Sequence, residues 1–279
     1  MQLKLGLIGY PITHSLSPWI HRQFLDKTNS NGTYDLYEIK PEDFDVQIKE
    51  FLQSNLDGFN VTVPFKQKII PYLDYLDRQA DEIGAVNTVR KKNGKWVGYN
   101  TDGLGYVNSL QHHFPDFFKE KSKRIVILGA GGAARSIYFA LNQFGFSTID
   151  LANRTMERAT SLLELKSEHT STSILSIKET EEVVSHYDLV IQTTSVGMKP
   201  YPNNSIIQLD HVKQGSIFSD IVYQPIFTNF LQLAQQKGAQ IHYGHTMLLY
   251  QAKLAFELWS NHKVPMEGLE DTLKNILEG

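Results

Sequence analysis

The sequence predicts an α/β fold divided into two domains, and three observations support this prediction. Short apolar stretches of strand type alternate with amphipathic helical stretches along the chain, as in α/β proteins whose sheets are mainly parallel. A chain of 279 residues is long enough for about two domains. A new strand also begins at Lys123 and is followed at once by a glycine-rich turn, which indicates the start of a second unit.

Composition excludes several classes of protein. Hydrophobic residues make up 41%, charged residues 20%, and the formal net charge is −3, so we expect neither nucleic acid nor a membrane as partner. The chain has no cysteine and its ten histidines lack metal-ligand spacing, so no metal is expected. The N-terminus lacks a signal-peptide pattern and no apolar run is long enough to span a membrane, so we expect a cytoplasmic protein.

The N-terminal part of the chain contains apolar stretches that end at turn residues. Ser17-Pro18 is typical of a helix start, because Ser caps the first turn and Pro fits the first helical position. Asn93-Gly94 lies between two strand-like runs and is a strong signal of a β-hairpin. We predict strands over 3–8, 34–39, 58–63, 86–92 and 95–99, and helices from 17 onward and over 44–52.

Gly129-x-Gly131-x-x-Ala134, called the glycine loop below, follows a strand and opens a helix. In this context the first Gly permits a tight turn, the second lets backbone N–H groups approach a pyrophosphate, and the third position allows close helix–strand packing. The helix N-terminus adds a partial positive charge. A lone loop of this kind also occurs as a plain tight turn, but its place between strand and helix predicts a bound dinucleotide.

The strand after the glycine loop ends in Asn153-Arg154-Thr155. An NAD enzyme usually carries an acidic residue at this place to bind the ribose hydroxyl, whereas Arg accommodates a 2′-phosphate. Arg158 lies one helical turn further on and can join Arg154. Two solvated surface arginines are the simpler explanation, but together with the glycine loop they favour NADP over NAD.

The C-terminal part repeats the alternation of strands and helices and ends in helices. We predict strands over 124–128, 148–151, 188–193 and 216–221, and helices over 228–237, 247–259 and 267–277. These signals divide the chain into an N-terminal α/β substrate domain and a Rossmann-type dinucleotide-binding domain. The first is predicted to comprise residues 1–105 joined by the C-terminal helices at 243–279, and the second to comprise 106–242.

Several polar residues of the first domain stand where a purely structural role explains only some of them. Ser15 and Ser17 both precede a helix, and capping accounts for one of the two. Asn60 and Thr62 share one face of a strand, in which Asn is depleted. Lys66 follows just past that strand, and taken alone it is typical of a surface lysine.

The predicted hairpin brings further polar residues together. The turn at Asn93-Gly94 places Asn87 opposite Asn100, and Asp102 lies on the same face if pairing extends that far. The diagonal from Asp102 to Asn87 then spans about 7–8 Å, within reach of one small molecule. A lone Asp after a strand is usually a cap or turn residue, so the case for Asp102 depends on its companions. Gln251 interrupts an otherwise apolar helix stripe.

These residues lie in motifs that resemble those of the shikimate dehydrogenase family over nearly the whole chain. The order of the motifs makes a chance match very improbable. The matching segments are GYPITHSLSP at 9–18, GFNVTVPFK at 58–66, GAVNT at 84–88, GYNTDG at 98–103, GAGGAAR at 129–135, NRT at 153–155, TTSVGM at 193–198, DIVYQP at 220–225 and MLLYQA at 247–252.

By this resemblance, the chain is expected to catalyse the reversible NADPH-dependent reduction of 3-dehydroshikimate to shikimate, in chorismate and aromatic amino acid biosynthesis. Lys66 and Asp102 would form the catalytic pair, in which the Lys66 ammonium protonates the ring oxygen and Asp102 holds Lys66. Contacts to the ring are expected from Ser15, Ser17, Asn60, Thr62, Lys66, Asn87, Asp102, Tyr223 and Gln251. The NADP site is expected to include Gly129, Ala130, Gly131, Gly132, Ala133, Asn153, Arg154, Thr155, Arg158, Thr193, Ile221 and Gly244.

One position departs from the family's pattern, because Thr246 stands before Met247 where the family more often has Gly. Two alternatives stay open. The first is a broader quinate/shikimate dehydrogenase, and the second is a catalytically silent NADPH-binding module, which would have no reason to keep both Lys66 and Asp102. The sequence does not distinguish a monomer from a homodimer.

Overall fold

The structure is a computed structural model that describes residues 2–279. Its strands form two six-stranded sheets. The elements of the N-terminal part are β1 (Leu3–Gly9), α1 (Ser17–Lys27), β2 (Gly32–Glu38), α2 (Phe44–Phe51), β3 (Gly58–Val61), β4 (Tyr75–Leu76), α3 (Arg78–Ile83), β5 (Thr88–Lys92) and β6 (Lys95–Tyr99).

The rest of the chain alternates parallel strands with helices and ends in two helices. Its elements are α4 (Asp102–His113), β7 (Arg124–Leu128), α5 (Gly132–Gln143), β8 (Thr148–Ala152), α6 (Met156–Thr160), β9 (Ile174–Leu175), α7 (Ile177–Val183), β10 (Leu189–Gln192), β11 (Ile217–Asp220), α8 (Asn229–Gln236), β12 (Gln240–His242), α9 (Gly244–Ser260) and α10 (Leu269–Glu278). None of the helices described over residues 2–279 combines the length and the apolar character that a membrane-spanning helix requires.

The first sheet has the strand order β2-β1-β3-β5-β6-β4. β1 pairs in parallel with β2 and β3, whereas β5 is antiparallel to both β3 and β6. The hairpin between β5 and β6 has the predicted register, in which Thr88 pairs with Tyr99 and Lys92 with Lys95. Both turn residues, Asn93 and Gly94, have positive φ, as the two-residue turn requires.

The second sheet has the order β12-β11-β10-β7-β8-β9 and all of its strand pairs are parallel. Its central strand β7 is buried from Ile125 to Leu128, which explains the continuous apolar run in the sequence. The predicted two-domain α/β class is therefore confirmed. Of the two sheets, the first is mixed and the second is fully parallel.

The chain forms two compact units. The first contains the residues up to Asp102 together with Gln251–Met266, and the second contains Gly103–Tyr250 and Glu267–Gly279. The predicted division instead joined all of 243–279 to the first domain. The last helix groups with the second unit because Glu270 of α10 lies 3.0 Å from the Nε2 atom of His113 in α4. The boundaries of the functional domains stay a prediction.

The core of the first unit is rich in aromatic rings. Phe44 of α2 stacks on Phe65 with a centroid distance of 4.2 Å. Within the same unit, the Trp259 indole of α9 donates to the Val89 carbonyl at 2.9 Å and lies against Gly58, where a Cβ atom would be 2.2 Å from Nε1. The close approach of Trp259 thus requires Gly at position 58. Through this contact the end of α9 packs on β3 and β5.

Candidate active site

The loop after β3 places Lys66 beside Asp102, the first residue of α4. Lys66 Nζ lies 2.6 Å from Asp102 Oδ2, a short charge-assisted hydrogen bond. The Asp102 side chain is 7% exposed and that of Lys66 is 22% exposed. The backbone of Lys66 is held by the Val86 N–H, which donates to its carbonyl at 2.7 Å. The ammonium is therefore reachable from solvent while its carboxylate partner is buried.

The Asn87 amide holds the second oxygen of Asp102. Asn87 Nδ2 donates to Asp102 Oδ1 at 2.8 Å and to Thr101 Oγ1 at 2.9 Å, and Gln251 Oε1 lies 3.3 Å away. Asn87 Oδ1 accepts from the Thr101 N–H at 2.8 Å and from Thr88 Oγ1 at 3.0 Å. The amide is saturated within the protein, so its orientation and that of the carboxylate are fixed together.

Asp102 reaches Asn87 by a route other than the predicted one. The ladder between β5 and β6 ends at Thr88 and Tyr99, after which the Asn87 N–H donates to the Tyr99 carbonyl at 3.1 Å. Asp102 then opens α4, and its N–H is capped by Asn100 Oδ1 at 3.1 Å. The condition set for the diagonal, pairing of the hairpin as far as Asp102, is therefore not met, and the start of α4 brings the carboxylate to Asn87 instead.

Asn60 of β3 lies in the layer beneath this pair. Its Oδ1 accepts from the Tyr34 hydroxyl at 2.7 Å, and its Nδ2 donates to the Asn87 carbonyl at 3.1 Å and to Thr88 Oγ1 at 3.0 Å. The residue is 6% exposed. Both donor hydrogens are thus used inside the protein, and Asn60 braces the backbone at Asn87.

The two predicted serines lie at the start of α1. The helix begins at Ser17 with Leu16 as N-cap, and no side chain caps it, so the prediction of a capping Ser17 was wrong. Ser15 Oγ instead accepts from the Ser17 N–H at 3.2 Å, which fixes the two serines next to each other. Glu38 holds the same loop, since its carboxylate accepts from the Ile12 N–H at 2.9 Å.

The remaining predicted substrate residues are distributed over both units. Thr62 is half-buried just after β3, where its N–H donates to the Ile8 carbonyl at 2.9 Å. Gln251 lies in α9 with its carbonyl accepting from Thr101 Oγ1 at 3.1 Å. Tyr223 follows β11 in the second unit and burial raises the pKa of its phenol. The structure therefore clusters Lys66, Asp102, Asn87, Asn60 and Gln251 in the first unit, and Tyr223 belongs to the other.

The glycine loop has the space that a diphosphate requires. Gly129 has a φ of 117°, and a Cβ atom there would lie 2.5 Å from Thr193 Oγ1, so only Gly fits. A Cβ atom on Gly131 or Gly132 would meet nothing within 4 Å, and no side chain caps the N-terminus of α5. Backbone N–H groups of the loop, including those near Ala130 and Ala133, are thus available to an anion.

The end of β8 carries the predicted cationic pair. Asn153 Nδ2 donates to the Thr155 carbonyl at 2.7 Å and so shapes the turn that presents Arg154. Arg154 and Arg158 are both exposed, and neither forms an ion pair with a carboxylate of residues 2–279. Two unpaired guanidinium groups beside an open glycine loop fit a 2′-phosphorylated dinucleotide.

Gly244 packs directly on the backbone that follows β11. A Cβ atom there would lie 2.4 Å from the Val222 carbonyl oxygen and 2.6 Å from the Ile221 carbonyl, so the close approach requires Gly. Thr246, where the family more often has Gly, donates from Oγ1 to the Tyr243 carbonyl at 2.6 Å. Thr246 therefore stabilises the first turn of α9 from within, which explains how the helix start tolerates this residue.

Asp220 lies at the end of β11, directly before Ile221, and is 1% exposed. It accepts hydrogen bonds from Thr228 Oγ1 at 2.7 Å, from the Val222 N–H at 2.9 Å and from Gln192 Nε2 at 3.2 Å. Burial raises the pKa of Asp220 to about 7, although these donors oppose the shift. Over residues 2–279 no group of three or more potential ligands is arranged to hold a metal ion.

Family comparisons match three consecutive parts of the chain. Residues 7–89 match the shikimate dehydrogenase substrate binding domain, 110–223 match shikimate / quinate 5-dehydrogenase, and 244–274 match the shikimate 5′-dehydrogenase C-terminal domain. The chain belongs to the shikimate dehydrogenase family. This confirms the resemblance found in the sequence motifs.

Individual relatives of this family cover the whole chain. The shikimate dehydrogenase (NADP(+)) of Oceanobacillus iheyensis is 50% identical, with 100% of both chains covered. The Thermus thermophilus shikimate 5-dehydrogenase solved with NADP(H) and shikimate is 30% identical with a TM-score of 0.86, covering 98% of this chain and 99% of the other. The Listeria monocytogenes enzyme solved with shikimate and NAD is 31% identical with a TM-score of 0.88, covering 99% and 96%.

Several residues that contact the predicted site residues or adjoin them were not singled out from the sequence. Thr101 lies inside the GYNTDG motif, and its proximity to Asn87 appears only once the hairpin and α4 are formed. Gln192 and Asp220 end neighbouring parallel strands, a position that would have suggested a contact. Tyr34 gave no signal, because an aromatic residue in a strand is ordinary and its partner Asn60 is distant in sequence.

The buried carboxyl of Asp220 should make stability depend on pH. Its raised pKa means that its contribution is complete below its unfolded value and is lost as the pH rises to about 7. Between about pH 5 and pH 8, the free energy of unfolding should fall by about 2–3 kcal/mol more in the unmodified protein than in Asp220→Asn. Urea titrations at both pH values measure this difference, and parallel losses in the two proteins would contradict it.

Proposed function

We propose that this protein catalyses the NADPH-dependent reduction of 3-dehydroshikimate to shikimate and the reverse oxidation, with Lys66 and Asp102 as acid–base pair. The observation that carries the proposal is the 2.6 Å contact between the buried Asp102 carboxylate and Nζ of Lys66, which lies within the segment that matches the family's substrate binding domain. We further propose a cytoplasmic enzyme, since a chain without cysteine needs no oxidising compartment.

The chemistry proposed for Lys66 is proton transfer to and from one ring oxygen. In the reductive direction, the ketone oxygen gains negative charge as its carbon gains a hydride, and the Lys66 ammonium stabilises that charge and donates a proton. The neutral amine then regains a proton from solvent, and the reverse reaction uses it as a base. Asp102 acts on this step by holding the ammonium and by compensating its charge.

The substrate is a ring with one carboxylate and several hydroxyl groups. Ser15 and Ser17 lie next to each other and offer hydroxyl groups suited to the carboxylate. Thr62, Gln251 and Tyr223 offer side chains that donate and accept hydrogen bonds, as ring hydroxyls require. Asn60 and Asn87 are largely occupied by protein partners, so their part is to shape the site as much as to bind the ring.

The second unit would bind the cofactor. The glycine loop from Gly129 to Ala133 offers its backbone N–H groups to the diphosphate, and Arg154 and Arg158 offer their guanidinium groups to the 2′-phosphate, with Asn153 and Thr155 shaping that turn. Thr193, Ile221 and Gly244 line the strand ends further along the sheet. Bound NADPH would supply the hydride.

A turnover assay on the purified protein tests the proposed reaction. Oxidation of shikimate with NADP should proceed, and kcat/KM for quinate should be lower by roughly 10-fold or more, because quinate adds a ring hydroxyl that the site must accommodate. Comparable values for both substrates would favour the broader quinate/shikimate enzyme that the second family description includes. No turnover with either substrate would reject the proposal and favour a silent NADPH-binding module.

The role of Lys66 predicts a defect in kcat. Lys66→Ala should lower kcat by roughly 10²–10⁴-fold with a much smaller change in KM for shikimate, because general acid–base catalysis acts in the transition state. Lys66→Arg should rescue poorly, since a guanidinium does not give up its proton. Steady-state kinetics measure these changes, with the fold checked by circular dichroism.

Lys68→Ala is the matched control for Lys66→Ala. Lys68 is two residues away, and its ammonium lies 3.2 Å from Asp45 and not beside Asp102. Asp102→Asn should also slow turnover, and the Lys66→Ala/Asp102→Asn double variant should lose far less than the sum of the two. A folded Lys66→Ala protein that turns over as fast as Lys68→Ala would remove Lys66 from the mechanism.

The two arginines predict the choice of cofactor. Replacing Arg154 and Arg158 together by Ala should raise KM for NADP by roughly 10-fold or more, because the 2′-phosphate loses its charge-assisted hydrogen bonds. KM for NAD should change little, because NAD lacks that phosphate. Arg22→Ala, an exposed arginine on α1, serves as control. An equal rise in KM for NADP and for NAD would show that the two arginines do not bind the 2′-phosphate.

A further inference from the structure

Tyr34 of β2 is buried behind the predicted substrate residues and has no role in the mechanism above. The residue is 8% exposed, and its hydroxyl donates to Asn60 Oδ1 at 2.7 Å. This bond decides which end of the Asn60 amide is the oxygen, and so directs Nδ2 toward the Asn87 carbonyl at 3.1 Å. The orientation of Asn60 therefore depends on a phenol on a different strand.

Burial raises the pKa of the Tyr34 phenol, so the phenol keeps the proton that it donates to Asn60 Oδ1. Asn60 is itself 6% exposed.

His21 fixes the plane of the Tyr34 ring. The two rings stack with a centroid distance of 4.1 Å and an interplanar angle of 9°, and His21 lies one helical turn after Ser17 on the same face of α1. His21 is 0% exposed, and burial lowers the pKa of its imidazole to about 3, against a smaller opposing contribution from Asn60. A neutral ring stacked in the core restricts the phenol to one geometry.

We propose that Tyr34 is a positioning residue that holds Asn60 in place and, through Asn87, couples it to the acid–base pair. It acts through a continuous series of hydrogen bonds within the first unit, which begins with the hydroxyl that Tyr34 donates to Asn60. The series runs through Tyr34, Asn60, Asn87, Asp102 and Lys66.

Removing the Tyr34 hydroxyl acts on the start of this series. Asn60 Oδ1 loses the donor that fixes its orientation, so the amide can rotate and weaken its bond to the Asn87 carbonyl. The ring of Phe retains the stack on His21, so packing is preserved while the hydrogen bonds are lost.

The inference rests on the proposed function, and Tyr34→Phe tests it by steady-state kinetics. KM for shikimate should rise by roughly 3- to 10-fold while KM for NADPH stays unchanged, as expected when one hydrogen bond that orders the substrate site is lost. The matched control is Tyr37→Phe on the same strand, whose ring packs edge-on against Phe51. That variant should match the unmodified protein in both constants.

A double-mutant cycle tests the coupling itself. Asn60→Ala and Tyr34→Phe together should raise KM for shikimate by clearly less than the product of the single effects, because both remove the same hydrogen bond. Independent, multiplicative effects would overturn the coupling. An equal rise in both KM values, or a rise that merely follows a loss of melting temperature, would also overturn it.

The unmodified protein and Tyr37→Phe separate a failure of the positioning role from a failure of the proposed function. If the unmodified protein and Tyr37→Phe turn over shikimate and Tyr34→Phe does so with the same KM, the positioning role fails and the proposed function stands. If the unmodified protein does not turn over shikimate at all, the proposed function fails, and the inference about Tyr34 falls with it.

Discussion

A buried carboxylate is stable only when donors in the protein replace the water that it has lost. Asp102 receives Lys66 on one oxygen and the Asn87 amide on the other. Asn87 needs partners of its own, and Thr88 and Thr101 donate to its oxygen. The position of the Lys66 ammonium therefore depends on a buried amide that has no acid–base chemistry itself, and on the hairpin that carries it.

The second unit compensates its buried carboxylate in another way. Asp220 has neutral donors in place of a cation, and burial raises its pKa to about 7. The parallel register of β10 and β11 sets Gln192 beside Asp220 at the carboxyl ends of their strands, the edge at which α/β sheets bind their ligands. Asp220 joins that edge to Thr228 at the start of α8, which stiffens the backbone next to Ile221.

Short sequence motifs predicted the turns and junctions whose conformation depends on residues that are adjacent in the chain. Asn93-Gly94 predicted both the hairpin and its register, because the two-residue turn leaves one pairing. The glycine loop predicted the junction of β7 and α5, because the turn between them requires a positive φ that Gly129 adopts readily. The alternation of strands and helices and the family motifs predicted the two-domain α/β class and the family.

Features that depend on distant residues could not be predicted in this way. Ser17 has the residue type of a cap, yet α1 begins at Ser17 itself, with Leu16 as N-cap, and the Ser17 N–H donates to Ser15 Oγ. The contact of Tyr34 with Asn60 joins strands that are neighbours only through β1. The grouping of α10 with the second unit follows from Glu270 and His113, which no pattern along the chain connects.

The saturation of Asn60 and Asn87 has a consequence for selectivity. Side chains whose hydrogen bonds are already made do not have to be ordered when a ligand arrives, so the loss of conformational entropy on binding is small. The same rigidity prevents the amides from turning to meet a hydroxyl group that a different ring places elsewhere. A preorganised wall of this kind rejects misplaced polar groups by leaving them without a partner, which discriminates between similar sugars and cyclitols more sharply than an adaptable surface does.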